Sequence, residues 1–419
     1  MSMSDIKRSI LKNYFDDYEE PEDYDSEPPK PVDDFYIIGK CLGRYNGPGG
    51  NVTVPEGITE IEYGTFQSRD SVTGITIPKS VIRISPGTLQ DCMNLSEIRV
   101  DAENPCYCVI DGLLLERDGT VLHSCPPTTS GVLKIPKSVT EIGEKAFAFC
   151  SGLTDIIIPE SVTRIDDEAF ASCSGLTDII IPESVTRIGD RAFAHCSGLT
   201  SVAIPKYTTH IGWLAFWGTN LTRIVIPENV AKIADGAFNG CTTLSEIQVD
   251  AGNSFYCIIN GLLLSRDGSV LYQCPPATSG VLTIPESVVK IADGAFSACK
   301  GLTGVIIPEG VTRIGEYAFA DCTGLTHVNI PEGVTWISED AFAGCTSLIN
   351  VTVPKSVVYI GDGAFENTGL AEETIRAAYD QAKETDLESM TWNDFPDWEP
   401  LAESMMQNDF SDNEDEDYS

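Results

Sequence analysis

Short apolar runs recur along the chain every 23 residues, and most of them end at a proline. In one repeat, Leu153, Ile156 and Ile158 are the inward positions of such a run, which ends at Pro159. A unit this short cannot bury its own apolar residues, so the units are expected to stack and share one core. Eight prolines mark the period: Pro136, Pro159, Pro182, Pro205, Pro285, Pro308, Pro331 and Pro354.

The period extends beyond these eight positions to thirteen turns. Pro55, Pro78 and Pro227 fit it, and Asp101 and Asp250 stand at the proline position in two variant turns. Pro78 and Pro227 lie 149 residues apart, as do Asp101 and Asp250, so the array is interpreted as a duplicated block. At the usual strand spacing the turns predict a rod on the order of 60 Å long.

Each repeat is predicted to contain a strand, a second short extended run and one helical turn. The strand ends at the proline because proline has no N–H to donate. Val162 and Ile165 mark the second run, and Asp167 is interpreted as the N-cap of the helical turn. The acidic column at this position is interpreted as structural: Glu144, Asp167, Asp190, Asp235, Asp293, Glu316, Glu339 and Asp362.

Two further columns predict the core. A phenylalanine follows the marker by 11 residues in ten turns, with Leu89 as the substitute in another. A cysteine follows three residues later, and we predict a ladder of buried thiols: Cys92, Cys150, Cys173, Cys196, Cys241, Cys299, Cys322 and Cys345. Cys108 with Cys125, and Cys257 with Cys274, could meet across hairpins, although reduced thiols are favoured.

Segments outside the regular repeats have distinct compositions. Residues 1–34 and 389–419 are acidic and are expected to be disordered tails. Residues 35–50 and 370–388 are expected to cap the solenoid at 51–369, the latter as an amphipathic helix. Insertions at about 102–130 and 251–279 each contain an Asp-Gly hairpin and are predicted to project from the rod.

Net charge limits the classes of partner. The chain carries 27 basic and 63 acidic side chains, a net charge of −36. This balance argues against nucleic acid or an anionic membrane as a partner. No apolar run is long enough for a membrane span, and the first residues resemble no secretory signal, so a cytoplasmic location is expected.

The pattern Leu-x-x-Ile-x-Ile-Pro-x-x-Val-x-x-Ile-Gly-x-x-Ala-Phe-x-x-Cys resembles the BspA-like leucine-rich repeat over roughly residues 50–369. This resemblance implies a β-rich α/β solenoid, a right-handed coil with short parallel strands, one helical turn per repeat and two β-hairpin insertions. It also implies a non-catalytic role in binding or adhesion, and many relatives are cell-surface or secreted proteins.

Catalytic and metal-binding motifs are not evident in the sequence. The four histidines, His123, His195, His210 and His327, fall in four different units. Neither a metalloprotease, a serine-hydrolase nor a phosphate-loop motif is present. The chain is therefore expected not to be an enzyme and to require no cofactor.

A largely basic column lies five residues after the marker. It contains Arg164, Arg187, His210 and Lys232 and ends with Trp336 and Tyr359. One interpretation is a charge-balancing ladder with the acids that follow the prolines, namely Glu160, Glu183, Glu228, Glu286 and Glu309. The other is a surface for an anionic partner, including the protein's own acidic tails.

The outward strand position two residues before the marker is apolar in several turns. An apolar strip on a sheet face is a candidate docking surface. The alternative is strand propensity, because β-branched residues suit extended backbone. The strip comprises Ile157, Ile180, Ala203, Val225 and Ile306.

The unit that begins at Pro205 departs most from the repeat. Trp213 replaces the acid, Trp217 replaces the alanine found in several other turns, and the next marker follows after 22 residues. The two tryptophans are expected on one helical face. They either fill a defect left by the shortened turn or form, with Tyr207, an aromatic anchor for a partner.

These features together predict a non-catalytic scaffold that presents its surface to a protein partner of unknown identity. The chain is expected to be a monomer. A cell-surface or secreted adhesin that binds matrix protein or glycan is the alternative. The acidic and aromatic C-terminal tail is interpreted as a solubilising segment or as a short docking motif.

Overall fold

A computed structural model of the chain describes residues 31–383 apart from 33, 67–68 and 90–91. The chain winds into stacked coils. Most coils contribute one strand to a long-strand sheet, two residues to a short-strand sheet and a tight double turn to a turn face, but the long-strand sheet is interrupted at residues 199–205. The predicted tails lie mainly outside the described residues.

The long-strand sheet is parallel and occurs in four segments. Ile157 also forms an isolated parallel bridge to Ile180, which continues the sheet into the next coil. The segments are Gly50–Thr53, Val72–Ile77 and Glu97–Val100; Ser130–Lys134 and Gly152–Ile157; Arg223–Ile226 and Glu246–Val249; and Ser279–Thr283, Gly301–Ile306, His327–Asn329 and Asn350–Thr352.

The short-strand sheet is parallel as well and pairs equivalent residues of neighbouring coils. Near its start, Pro31–Val32, Phe35–Ile38 and Cys41–Tyr45 form an antiparallel unit joined to Glu60–Ile61. The other two-residue strands are Arg83–Ile84, Glu141–Ile142, Arg164–Ile165, Arg187–Ile188, His210–Ile211, Lys232–Ile233, Lys290–Ile291, Arg313–Ile314, Trp336–Ile337 and Tyr359–Ile360.

The turn face is not helical, so the predicted helical turn in each repeat is wrong. Glu168 and Ser172 have φ angles of 54° and 61°, in the left-handed region, which a right-handed helix cannot contain. The N–H groups of Glu168, Phe170 and Ser172 donate to carbonyl groups of the next coil at 2.7–2.8 Å. The turn face is therefore a third ladder of hydrogen bonds between coils.

The acidic column joins coils and does not cap helices. Oδ1 of Asp167 accepts a hydrogen bond from N–H of Asp190 at 2.8 Å, and Oδ1 of Asp190 accepts one from N–H of Trp213 at 2.8 Å. Asp293 and Glu316 repeat the contact at 2.8 Å. The column is structural, as expected, but its partners lie 23 residues away instead of within a local helix.

Stacked phenylalanines fill the core. Phe147, Phe170, Phe193 and Phe216 follow one another with ring centroids 5.0–5.4 Å apart and planes within 6° of parallel. All four are fully buried. The phenylalanine column is thus the interior of the solenoid.

The cysteine ladder is buried as predicted, and every cysteine in the described residues is a free thiol. The thiols of Cys173 and Cys196 donate to the carbonyl groups of Phe147 and Phe170, each at 3.0 Å. Cys108 and Cys125 have different neighbours, the carbonyl of Glu116 and the hydroxyl of Thr129, each at 3.2 Å.

The two insertions are part of the core, so the prediction that they project from the rod is wrong. Each is a three-stranded antiparallel meander whose middle strand has buried leucines on both sides. Leu114 packs on the preceding coils and Leu113 on the following ones. The strands are Tyr107–Ile110, Leu113–Glu116 and Val121–Ser124, then Tyr256–Ile259, Leu262–Ser265 and Val270–Gln273.

The helix Glu372–Lys383 is the one helix among the described residues. Ala378 and Ala382 are buried against the last coils, and the hydroxyl of Tyr379 donates to the carbonyl of Gly361 at 2.8 Å. The helix therefore covers the end of the core that follows the last phenylalanine.

Replacing Phe193 by Ala is expected to destabilise the protein by about 3–5 kcal/mol, because the ring lies between two stacked neighbours and its loss leaves a cavity. Urea unfolding followed by circular dichroism measures the change. Tyr207→Ala is the matched control, since Tyr207 is 58% exposed and lies in the next coil. Equal unfolding midpoints for the two variants would contradict the stacked core.

Candidate functional site: the surface of the Pro205 coil

A row of basic side chains crosses four consecutive coils of the short-strand sheet. Arg164, Arg187, His210 and Lys232 are paired in register, each with the next, and all four are exposed. We call these four residues the cationic row. Parallel pairing places these side chains at intervals of about 4.8 Å. Arg164, Arg187 and Lys232 carry the positive charge of the row, so it concentrates positive potential on an acidic protein.

The ion pairs of the row differ from the predicted charge-balancing ladder. Arg164 pairs with Asp166 of its own coil, and Arg187 lies 3.9 Å from Asp167 of the preceding coil. Asp166 and Asp167 come two and three residues after Arg164 in the sequence, whereas the predicted partners are the acids directly after the prolines. Among those, Glu228 pairs at 3.3 Å with Lys206, which lies outside the row.

His210 lies at the centre of this positive potential. Its Nδ1 atom is 2.8 Å from the hydroxyl oxygen of Thr209. Partial burial lowers the pKa of His210, and the charges of Arg187 and Lys232 lower it further. The two cationic neighbours therefore oppose a third charge between them, as expected where positive charge is not fully neutralised.

Tyr207 and Trp213 flank His210 within the same coil, three residues before and after it along the chain. They are 58% and 42% exposed. Trp213 stacks on Arg191 of the preceding coil, with the guanidinium carbon 4.2 Å from the ring centroid. Arg191 is a contact that sequence analysis missed, because it lies 22 residues from Trp213.

The two tryptophans do not share a helical face, because the turn face is not helical. Trp217 is half-buried, with its ring 4.1 Å from that of His195. On its other side a Cβ atom at Gly240 would lie 3.1 Å from the indole. Trp217 thus packs between neighbouring coils, as the defect-filling interpretation expects, while Trp213 stays accessible.

A chain of charged and aromatic contacts leads to Trp213 along the turn face. Lys145 lies 5.1 Å above the ring of Tyr63 and 3.8 Å from Oε1 of Glu168. The same oxygen is 3.9 Å from Arg191. Because Arg191 is held from both sides, the orientation of the Trp213 indole is restrained.

Acidic columns flank the cationic row on both sides, and the Pro205 coil interrupts both of them. Lys206 stands where the neighbouring coils have Glu183 and Glu228, and Trp213 stands where they have Asp190 and Asp235. Lys206 was not predicted as a site residue, although aligning the repeats shows that a lysine replaces the glutamate of the neighbouring coils. Among the neighbouring coils, the Pro205 coil alone borders the cationic row with Lys206 and the rings of Tyr207 and Trp213.

The apolar strip lies on another face, the long-strand sheet. Ile157 and Ile180 are bridged and are 49% and 79% exposed, and Ala203 and Val225 are exposed at the same position of the next two coils. Ile306 is 55% exposed but is paired between Thr283 and Asn329, beyond the second meander. The structure thus brings four of the five predicted residues together and separates Ile306.

Trp336 and Tyr359 continue the short-strand column in the last coils. Their rings stack at 3.9 Å, and both residues are half-buried. Burial raises the pKa of Tyr359 to about 12, and the nearby carboxylates of Glu339 and Asp362 add to the rise. The pair is therefore a packed end of the column and less accessible than Tyr207 and Trp213.

Asp166 is a buried carboxyl at the start of the cationic row. Burial raises its pKa to about 7; hydrogen bonding and charge from Glu141 add to the rise, while Arg164 opposes it. Several other coils have glycine here, and a Cβ atom at Gly189 would lie 2.5 Å from backbone of the preceding coil. Space at this position is therefore restricted, which explains why the carboxyl is poorly solvated.

The described part of the chain contains no group of three or more His, Cys, Asp or Glu residues placed to hold a metal ion. None of its helices is long and apolar enough to cross a membrane.

Stacked parallel coils with a repeating apolar interior define a leucine-rich-repeat scaffold. The sequence profile of the BspA type leucine rich repeat region matches residues 45–105, 122–245 and 268–385 in six copies, and the chain belongs to this family. The two gaps in the match, 106–121 and 246–267, overlap the two meanders. No curated protein matches the chain.

Solved structures of bacterial repeat proteins resemble the chain. A leucine rich cell surface protein from Faecalibacterium prausnitzii is 28% identical, with a TM-score of 0.52, over 84% of this chain and 98% of that one. A leucine-rich repeat protein from Eubacterium ventriosum is 22% identical, with a TM-score of 0.41, over 62% and 93%. The pneumococcal vaccine antigen PcpA is 17% identical, with a TM-score of 0.43, over 80% and 85%.

Replacing Asp166 by Asn is expected to remove a pH-dependent loss of stability. Its pKa is 3.8 in the reference state and about 7 in the folded protein, so the folded state binds the proton more tightly. The wild type therefore loses stability as the pH rises from about 4 to about 7, by a few kcal/mol at most, and the variant lacks this component.

Urea unfolding at about pH 4 and about pH 8 measures this effect as the difference between wild type and variant. The matched control is Asp155→Asn, because Asp155 is exposed. A similar change in pH dependence for both variants would show that Asp166 has no special role.

Proposed function

We propose that the protein is a non-catalytic scaffold that binds a protein partner through its outer surfaces. The observation that carries this proposal is the apolar strip Ile157, Ile180, Ala203 and Val225, whose residues are exposed at the same repeat position of four consecutive coils, with Ile157 bridged to Ile180. The core does not require these side chains, because other coils have Lys134, Gln248 or Thr283 at the same position.

Strand propensity alone does not account well for the strip. Threonine is also β-branched, and it occupies this position as Thr283 and Thr352 in the second block without exposing apolar surface. The side chain of Ile180 is 79% exposed, so its burial contributes little to the stability of the fold. Exposed apolar residues in contiguous patches are typical of interaction sites.

A second candidate function is an adhesin at the cell surface. The Faecalibacterium relative is described as a cell surface protein, and its structure is matched over 98% of its length. The expectation of a cytoplasmic location finds no support in this comparison. We propose the surface as the alternative compartment, with a matrix protein or a glycan as the alternative class of partner.

Photo-crosslinking in the native cells tests the docking strip. A photoreactive amino acid in place of Ile180 is expected to give a discrete adduct with a protein partner, because the side chain lies at the centre of the strip. Ile306 is the matched control, since it has the same strand position but lies outside the strip. Adducts of equal yield at both positions, or none at Ile180, would refute this surface.

Protease treatment of intact native cells tests the compartment. If the protein lies at the surface, the protease is expected to cleave it on intact cells, because the chain is then accessible from outside the cell. Immunoblots before and after treatment measure the cleavage, with a cytoplasmic enzyme as the lysis control. A chain left at full length on intact cells but shortened in lysed cells would rule out the surface location.

A further inference from the structure

A second surface, separate from the apolar strip, combines positive charge with exposed aromatic rings. It comprises Arg187, His210 and Lys232 of the cationic row together with Lys206, Tyr207 and Trp213 of the Pro205 coil. We propose that this surface binds a short acidic segment of a partner protein, which crosses the cationic row along the Pro205 coil.

The direction of the segment follows from the acidic columns. A ligand that ran along the row would lie between Glu160, Glu183 and Glu228 on one side and Asp167, Asp190 and Asp235 on the other. A ligand that crosses the row at the Pro205 coil meets Lys206 and Trp213 in place of these acids. A short acidic segment therefore gains the attraction of the row and avoids most of the repulsion.

The nearest acids are already engaged in the fold. Oε2 of Glu183 accepts a hydrogen bond from N–H of Lys206 at 2.8 Å, and Oδ1 of Asp190 accepts one from N–H of Trp213 at 2.8 Å. The carboxylate of Glu228 lies 3.3 Å from Nζ of Lys206. The ion pair with Lys206 reduces the repulsion that Glu228 would exert on an incoming carboxylate, and the two N–H contacts fix the positions of Glu183 and Asp190.

A peptide fits the surface better than a sulfated glycan. The hydroxyl groups beside the row, Thr186 and Thr209, donate to the carbonyl groups of Thr163 and Thr186 at 3.3 and 3.1 Å. Their O–H donors are therefore engaged within the fold and are not available to donate to a sugar. A long polyanion would also extend onto the acidic columns. An acidic peptide with interspersed apolar side chains can instead place its carboxylates near the cationic row and its apolar groups against Tyr207 and Trp213.

The Arg191 contact prepares the aromatic part of the surface. Arg191 holds one face of the Trp213 ring at 4.2 Å and is itself held by Glu168 at 3.9 Å. A ring that is already restrained loses little side-chain entropy when a ligand packs on it. The surface is therefore partly preorganised before a partner arrives.

The test uses the full chain and a fluorescein-labelled peptide of alternating Glu and Leu with blocked ends. Fluorescence anisotropy at low ionic strength measures binding, and a peptide of alternating Gln and Leu is the uncharged control. We expect the Glu peptide to bind and the Gln peptide not to bind, with affinity that falls as salt is added.

Two variants are designed to abolish peptide binding by introducing residues that other coils have at the same positions. Lys206→Glu combined with Trp213→Asp completes both acidic columns, and His210→Glu introduces the residue found at the same position as Glu60 and Glu141. Each is expected to weaken binding of the Glu peptide by about tenfold or more. Thermal unfolding confirms that each variant is folded.

The matched control is Lys290→Glu. Lys290 lies in the same column of the second block, where Glu286 and Asp293 keep both flanking acids. This variant is expected to bind the Glu peptide as the wild type does. Equal affinity for all variants, no binding of the Glu peptide at millimolar concentration, or binding of heparin without binding of the peptide would overturn the proposal.

The acidic-peptide surface and the apolar strip can be tested separately, because they lie on different faces of the solenoid. Loss of crosslinking at Ile180 would leave the peptide measurement unaffected. Failure of the peptide to bind would leave the apolar strip as the single proposed docking surface.

Discussion

Hydrogen bonding between the main chains of successive coils is the constraint on which the rest of the structure depends. It operates on all three faces, through parallel strands in two sheets and through the alternate N–H groups of the turn face. Because the pairing is in register, each side-chain position is repeated along the solenoid as a row. Stacked Phe170 and Phe193, hydrogen-bonded Cys173 and Cys196, and the cationic row all follow from this one rule.

Repetition also explains where function is expected. A row of identical charges repels itself, and a row of identical apolar groups is costly in water, so neither is favoured by stability alone. The Pro205 coil departs from its neighbours at Lys206, Trp213 and Trp217, while its core residue Phe216 is unchanged. In its interior, buried Thr208 and Thr219 replace the valine and cysteine of the neighbouring coils, and their hydroxyl groups contact the carbonyl of Val185 and the thiol of Cys241. The coil thus varies at its surface and at two core positions while the stacked phenylalanine is kept.

The core could be predicted from the sequence, because the 23-residue period and the apolar residues at fixed repeat positions determine which side chains are buried. The turn face could not, because the run Asp167–Glu168–Ala169–Phe170 suits a helix locally while its hydrogen-bond partners lie in the next coil. A signal was nevertheless present: glycine replaces Ser172 as Gly218, Gly240 and Gly344 at the equivalent positions, and these glycines have positive φ. The contact between Arg191 and Trp213 was hidden for a similar reason, since residues 22 apart become neighbours only after the coils stack.

The two meanders divide the solenoid without ending it. The hydroxyl groups of Tyr107 and Tyr256 accept hydrogen bonds from the N–H groups of Ile84 and Ile233, at 3.0 and 2.7 Å, where the next short strand would otherwise pair. The core therefore separates into three clusters, and most of the central one comes from the coils between the meanders. The apolar strip and the cationic row both belong to these central coils but lie on different sheets. One packed unit thus presents two chemically different faces, and because the same stacked phenylalanines support both, a change in either face need not disturb the other.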